Sequence, residues 1–314
     1  MKAMVIYKYG GADVLRYEEV EAPKITPDEL LVNVHAAGVN PMDWKIRKGM
    51  LKVISGNKFP MILGFDLAGE VLEVGSQVEN FQVGDEIYGS LSVPGGAYAE
   101  LAVVSQKVAA VKPANISFEE AAALPVAALT ALQSLRDKAN IQPSQTVLVN
   151  GASGGVGIFA VQIAKALGAE VTGVCSSKNL DFVKSLGADF TIDYTQEDFT
   201  ENQKQYDIII DAVAKQTFDN CKKVLKSNGV YVTTLPTLQN MVSIGLTSLF
   251  GSKKAKFILA QPNTGDLIYL NQLIAAGKLR VVIDCTYPLR ELVAAHIYSE
   301  SERAKGKIVI RTIE

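Results

Sequence analysis

The sequence predicts an α/β protein in which a doubly wound parallel sheet is joined to a second, mainly antiparallel β unit. Short β-branched runs broken by turn residues fill residues 1–122, and apolar strands alternate with helical stretches from Thr146 onward. A glycine-rich turn also lies directly between the first of those strands and its helix. The length of 314 residues suits about two domains of roughly 150 residues each.

Taken in order, residues 3–7 of MKAMVIYKYGG form an apolar stretch too short for a signal-peptide core and read as a first strand, which leads us to expect a cytoplasmic protein. Strand-like runs follow at 30–34 (LLVNV), 68–74 (AGEVLEV) and 98–104 (YAELAVV). Gly38, Pro41, Gly75, Gly84-Asp85 and Pro94-Gly95-Gly96 supply turns between them, the pattern of an antiparallel unit. Ser117 with Glu120 three residues on has capping-box spacing, and an Ala/Leu-rich helical stretch then runs towards Lys138, interrupted by Pro125. Beyond it come strands at 146–150 (TVLVN), 170–174, 189–193, 206–211 (YDIIID) and 230–234, with helices at 156–167 and 179–186. Such alternation predicts parallel strands with crossover helices. Residues 280–284 (RVVID) read as a late strand, 291–299 as a helix, and 305–310 (KGKIVI) as a strand returning to the β-rich unit. The expected domains are therefore 1–122 with 286–314, and 123–285.

Composition excludes several functions. With 31 Lys and Arg against 33 Asp and Glu, there is no basic excess to follow a nucleic-acid backbone. The longest apolar runs are too short to span a membrane. The three cysteines, Cys175, Cys221 and Cys285, form no CxxC, and His35 and His296 are the only histidines, so neither a disulfide framework nor a His/Cys metal cage is expected.

The strongest chemical signal is Val147-Leu148-Val149-Asn150 running into Gly151-Ala152-Ser153-Gly154-Gly155-Val156-Gly157. A strand, a glycine turn and a helix start are what a dinucleotide pyrophosphate needs: missing side chains let it approach, and the helix's first N–H groups face it. In the GxGxxG register the first position is Ala152, with Gly154 and Gly157 following. After the next strand an NAD enzyme carries an acidic residue about 20 residues on, to hold the ribose hydroxyls. Here the segment reads Cys175-Ser176-Ser177-Lys178-Asn179, with donors and a positive charge and no carboxylate, which predicts NADPH.

Residues 144–157 (SQTVLVNGASGGVG), continuing to Gln162 and Lys165, resemble the signature of the zinc-independent, zeta-crystallin-like quinone oxidoreductases of the medium-chain dehydrogenase/reductase superfamily. Gly38-Val39-Asn40-Pro41-Met42-Asp43-Trp44-Lys45, Gly64-Phe65-Asp66-Leu67-Ala68-Gly69-Glu70-Val71, Gly84-Asp85 with Tyr88-Gly89, Gly96-Ala97-Tyr98-Ala99-Glu100 and Ala304-Lys305-Gly306-Lys307-Ile308-Val309 fit in the same order. The resemblance implies a GroES-like catalytic domain, discontinuous in sequence, a Rossmann domain, and a cleft between them. It also implies cofactor contacts from Lys45, Gly155, Val156, Ser177, Lys178 and Tyr194, to which the glycine and serine reading adds Ala152, Gly154, Gly157 and Ser176.

Zinc-dependent relatives of this family carry a cysteine at the Asn40 position and a histidine at that of Phe65, so no metal is expected here. An acceptor that is already electrophilic, a quinone or an α,β-unsaturated carbonyl, then suffices as hydride acceptor, with hydrogen-bond donors for the oxyanion that forms. Asn40, Lys45 and Tyr98 are the candidate catalytic residues. Asn40 equally suits a fixed turn before Pro41, Tyr98 a strand surface, and Asp43 either orders that loop or neutralises Lys45. An enoyl-thioester reductase and a non-catalytic NADPH-binding or structural protein are the alternative readings. His35 and His296 read as structural, and Cys175 as a small buried residue. The apolar segment 241–254 suits a wall of the acceptor pocket, a peripheral membrane contact, packing within its own domain or a dimer interface, and the resemblance implies a homodimer, since in relatives a strand such as 280–284 pairs with its counterpart.

Overall fold

The computed structural model describes residues 1–235 and 237–313; Pro236 and Glu314, which fall in the segments 123–285 and 286–314 drawn above, lie outside the described residues. The chain forms two compact units: Met1–Ala127 with Pro262–Ala275 and Val281–Glu314, and Ala128–Gln261 with Ala276–Arg280.

In the first unit, a seven-stranded sheet runs in the order Ile283–Pro288, Lys307–Arg311, Glu29–Val39, Asp66–Val74, Glu86–Ser90 and Ala109–Val111, with Leu101–Ser105 also paired to Glu29–Val39. All its pairings are antiparallel except that of Ile283–Pro288 with Lys307–Arg311. Arg16–Glu19, Lys2–Ile6 and Met61–Ile62 make a smaller antiparallel sheet. The period of two predicted at 30–34 holds: Leu30, Val32 and Val34 are fully buried and the residues between them are half-buried. The strand nevertheless continues to Val39, where both faces are covered and the alternation disappears. At Gly38 a Cβ would lie 2.4 Å from the Ala122 carbonyl, so glycine is what lets the helix Phe118–Ala122 close over the strand.

That helix starts as its capping box predicts. Ser117 Oγ accepts the Glu120 N–H at 3.2 Å, and the Glu120 carboxylate accepts the Ser117 N–H at 2.9 Å. Pro125, expected to interrupt the helical stretch, instead occupies the first turn of a second helix, Pro125–Gln133, where its missing N–H costs nothing.

The second unit is a six-stranded parallel sheet in the order Phe190–Asp193, Glu170–Cys175, Thr146–Asn150, Tyr206–Asp211, Leu225–Thr233 and Lys254–Phe257. Gly155–Ala166 and Leu180–Ser185 are its first crossover helices. Leu148, Val174, Ile209 and Tyr231 share one buried core on this sheet. Its sixth strand begins at the last residue of the apolar segment 241–254, most of which lies in the helix Leu238–Leu249.

The unit boundaries differ from those drawn on the sequence. The first division falls at residue 127 instead of 122, and the helix Thr264–Ala275 belongs with the antiparallel unit. Hydrogen bonding accounts for that: the Thr264 hydroxyl lies 3.0 Å from the Gln106 carbonyl and 2.9 Å from that of Ala109, while the Tyr88 hydroxyl reaches Asn271 Oδ1 at 2.7 Å. Asn271 in turn donates to the Val111 carbonyl at 2.9 Å. The expected late strand also begins later, at Ile283, and pairs inside the antiparallel unit.

Thr264→Val removes the hydroxyl donor and is expected to cost about 1 kcal/mol. Hydrogen exchange will speed up along Thr264–Ala275 while Ile208, Ile209 and Ile210 keep their protection; uniform acceleration in both units would contradict this assignment.

Candidate functional site

In the second unit, the strand Thr146–Asn150 delivers the chain into a tight turn at Gly151, whose φ of +82° is a conformation open to glycine. A Cβ on Gly157 would stand 2.0 Å from the Gly151 carbonyl, so only glycine lets the helix start this close to the strand. Above Gly154 the nearest atom to such a Cβ is 3.5 Å away, which leaves an open approach. Gly155 and Val156 open the helix, where N–H groups have no acceptor within it and the helix dipole is positive. Glycines at the close approaches and half-exposed donors at a helix start fit a dinucleotide pyrophosphate.

Ala152 does not join that surface. It is fully buried, and its N–H donates to the Val174 carbonyl at 2.9 Å. The tight-turn role assigned to Ala152 in the GxGxxG register belongs to Gly151, one residue earlier.

Ser176, Ser177 and Lys178 follow the second strand as expected, with Ser177 and Lys178 exposed. Tyr194 is 63% exposed, so its ring is available as a flat apolar surface, and its N–H donates to the Cys175 carbonyl at 3.1 Å. Sequence reasoning missed three neighbours. Asn179 Nδ2 donates to Ser153 Oγ at 3.1 Å, stitching the glycine turn to the end of the second strand. The third is Asp193, whose strand pairs beside that of Cys175 and whose carboxylate accepts the Ser177 hydroxyl. That hydrogen bond and those from Thr195 hold the Asp193 carboxyl below its ordinary range. Asp193, next to Tyr194 in sequence, is the carboxylate that residues 175–179 lack.

At the ends of the central strands, Asn150 Nδ2 donates to Asp211 Oδ1 at 2.9 Å, and Asp211 Oδ2 accepts the Tyr231 hydroxyl at 2.9 Å and the Gln216 N–H at 3.0 Å. Burial pushes the Asp211 carboxyl up despite these donors.

In the first unit, Asn40, Asp43, Asp66, Tyr98 and Lys307 form one buried polar cluster. Asn40 Nδ2 donates to Asp66 Oδ2 at 2.9 Å, and Asn40 Oδ1 accepts from Lys307 Nζ at 2.6 Å. Asp66 Oδ1 accepts the Val126 N–H at 2.9 Å. Asp43 Oδ2 accepts the Asn40 N–H at 2.6 Å and the Tyr98 hydroxyl at 2.7 Å. Asp43 thus orders the turn instead of neutralising Lys45. Burial pushes Asp43 up to about 7 and Asp66 up to about 6, and it pulls Lys307 down.

These contacts correct two expectations. Asn40 and Tyr98 were expected to donate to a substrate oxyanion, but both amide groups of Asn40 and the hydroxyl of Tyr98 serve the buried cluster. The physical reason is that carboxylates with no exposed surface claim the donors within reach. Lys45, on the helix Pro41–Arg47, is only half-buried, and burial lowers the pKa of its ammonium. It is the one candidate catalytic residue whose polar group is not taken up by that cluster.

His296 is fully buried, stacks edge-on against Tyr98 at 5.7 Å, and is held neutral by burial, with its pKa down to about 3. His35 packs its ring on Phe118 at 4.1 Å. Burial raises Cys175 to about 11, which makes it a poor nucleophile. Phe65 is buried in the core of the first unit. Among the described residues no group of three or more His, Cys, Asp or Glu is arranged to hold a metal ion, and no helix is long and apolar enough to cross a membrane. Met241, Val242 and Leu246 on the helix Leu238–Leu249 are exposed, and so is Phe250 after it.

Residues 26–114 match the family described as alcohol dehydrogenase GroES-like domain, and residues 186–310 the one described as zinc-binding dehydrogenase. The chain is 38% identical over 322 residues to the chloroplast envelope quinone oxidoreductase homolog of Arabidopsis thaliana, covering 99% of this chain and 98% of the relative. It is 35% identical to the NADPH-dependent alkenal/one oxidoreductase, chloroplastic, of the same plant, covering 100% and 80%. The solved quinone oxidoreductase from Coxiella burnetii superposes with a TM-score of 0.91 at 34% identity, covering 100% of this chain and 99% of that one.

Gly157→Ala is expected to weaken dinucleotide binding at least tenfold and to destabilise the second unit by about 1–3 kcal/mol, because the new methyl meets a backbone carbonyl. A fluorescence titration that matched the wild type would refute the close approach. Asp43 gives a pH signature of definite sign. Its folded pKa of about 7 lies above its ordinary 3.8, so the stability it contributes is fully present below about pH 4 and is lost as pH rises through 7. In urea melts, Asp43→Asn will therefore gain on the wild type between about pH 5 and pH 8; a pH-independent difference would count against the buried carboxylate.

Proposed function

Because the chain belongs to the medium-chain dehydrogenase/reductase superfamily, alongside the quinone oxidoreductases, we propose that it is an NADPH-dependent reductase of quinones or α,β-unsaturated carbonyls that works without a catalytic zinc. The observation that carries this reading is the glycine turn, with its contact-distance approach at Gly157 and the open helix start at Gly155 and Val156.

In this reading the N–H groups of Gly155, Val156 and Gly157 hold the pyrophosphate, which Gly154 lets approach while its own N–H closes the turn on the Gly151 carbonyl at 3.0 Å, with Ala152 packing beneath them. Ser176, Ser177 and Lys178 receive the adenosine end, and Tyr194 offers its exposed ring to it. NADPH is favoured over NADH by the exposed Lys178 and by the absence of a carboxylate from residues 175–179. When bound, the reduced nicotinamide supplies hydride. The chain's own contribution is to the charge that develops on the acceptor oxygen, where the partly desolvated ammonium of Lys45 is the donor of choice. Asn40 and Tyr98 act one step back: through Asp43 and Asp66 they hold rigid the turn that carries Lys45. Water or a side chain supplies the proton that completes the reduction.

The metal-free chemistry is supported by Asn40 and Phe65, since one has its amide engaged and the other has no ligand atom. The reading carries a homodimer, supported by the outer edge of Ile283–Pro288 at the end of its sheet, and a cytoplasmic protein, supported by three cysteines left unpaired.

NADPH oxidation followed at 340 nm against a panel of quinones and enones is expected to be unaffected by EDTA and faster with NADPH than with NADH. Loss of activity on chelation would overturn the zinc-free reading. Tight NADPH binding with no turnover on any acceptor would leave a binding or structural protein, and turnover confined to enoyl thioesters would move the substrate class.

A further inference from the structure

The corner beyond the second strand holds one carboxylate and two hydroxyls, and their protons can be counted. Asp193 Oδ2 accepts the Ser177 hydroxyl, and Asp193 Oδ1 accepts both the Thr195 N–H at 3.0 Å and the Thr195 hydroxyl at 2.7 Å. Ser177 Oγ and Thr195 Oγ1 are 3.1 Å apart. Each hydroxyl has a single proton, and the carboxylate, with its negative charge and closest contacts, is the strongest acceptor within reach of both. Ser177 therefore presents lone pairs to anything that approaches it, beside a carboxylate that its donors keep ionised. Lys178, the next residue, is exposed and brings the opposite charge.

Such a corner treats the two dinucleotides differently. A ribose 2′-hydroxyl can donate to Ser177 Oγ or to Asp193. A 2′-phosphate dianion brings only acceptors, so at Ser177 and Asp193 it meets lone pairs and a like charge, set against the positive charge of Lys178. Resting on the dinucleotide reading above and deepening it, we propose that Asp193 is the residue that limits this chain's preference for NADPH: it holds the proton of Ser177 and opposes the 2′-phosphate, so that NADH remains a usable cofactor. Asp193 also caps the turn after its strand, but that task occupies Oδ1; the oxygen facing Ser177 is Oδ2.

A unit charge set against a phosphate dianion across roughly 6 Å of water-like dielectric is worth about tenfold in affinity. Asp193→Asn keeps an acceptor for Thr195 and removes the charge. Titrated by cofactor fluorescence at low ionic strength, this variant is expected to bind NADPH about tenfold more tightly while NADH affinity stays within about twofold, and the gain should shrink in high salt. Ser177→Ala should change NADPH affinity less than about twofold, because the lost hydroxyl was not donating to phosphate. Asp193→Ser, which retains a short polar cap, should repeat the gain if the amide variant proves unstable.

Unchanged NADPH affinity in both Asp193 variants would overturn the proposal and leave Asp193 a turn cap. A large loss of NADPH affinity in Ser177→Ala would overturn it too, by making the serine a phosphate donor. Failure of the underlying reading looks different, because the wild-type protein itself would then give flat titrations with both dinucleotides.

Discussion

Asp43 and Asp66 lie in the first unit with no exposed surface, and an ionised carboxylate removed from water must be met by donors from the protein. Those donors come from distant parts of the chain: the Asn40 amide and backbone, the Tyr98 hydroxyl, the Val126 N–H, and behind Asn40 the ammonium of Lys307. Lys307 Nζ stands 3.8 Å from Asp66 Oδ2 and also donates to the Val39 carbonyl at 3.3 Å. Removing one member of such a group leaves a buried charge without its partner, a cost of about 3–5 kcal/mol, whereas the intact group gives little net stability. Its effect is positional: it fixes one arrangement of the turn at Asn40 and of the helix Pro41–Arg47 that carries Lys45.

Asn40 and Phe65 are spent on the interior of the first unit. Asn40 is held between an ammonium and a carboxylate, and Phe65 packs into the hydrophobic core. The positive charge next to Asp66 is supplied covalently, on the strand Lys307–Arg311.

What was legible in the sequence is local chemistry. Thr146–Asn150 followed by the glycine turn, and Ser117 with Glu120, declare their structure within a few neighbouring residues. The orientation of Asn40 depends on Asp66 and Lys307, 26 and 267 positions away, so the sequence leaves its amide open between a substrate and the turn before Pro41. Lys254–Phe257 escaped notice because a four-residue edge strand with lysines at two positions lacks a hydrophobic signature. The helix Thr264–Ala275 follows the parallel strands in sequence, and only its hydrogen bonds to Gln106, Ala109 and Val111 assign it to the antiparallel unit. Asp193 was visible in sequence, but its meaning arises from strand pairing that sets it beside Ser177.

The antiparallel sheet places Lys307–Arg311 between Ile283–Pro288 and Glu29–Val39, whereas the parallel sheet has its last strand at Lys254–Phe257. During synthesis, the parallel unit has all six strands in hand while the other still lacks an interior one. The segment made first thus waits longest for its partners, exposing in the interval the edge at Ala36–Val39, the part that Leu101–Ser105 does not cover. For this chain, the order of translation and the order in which the two sheets can close run opposite to each other.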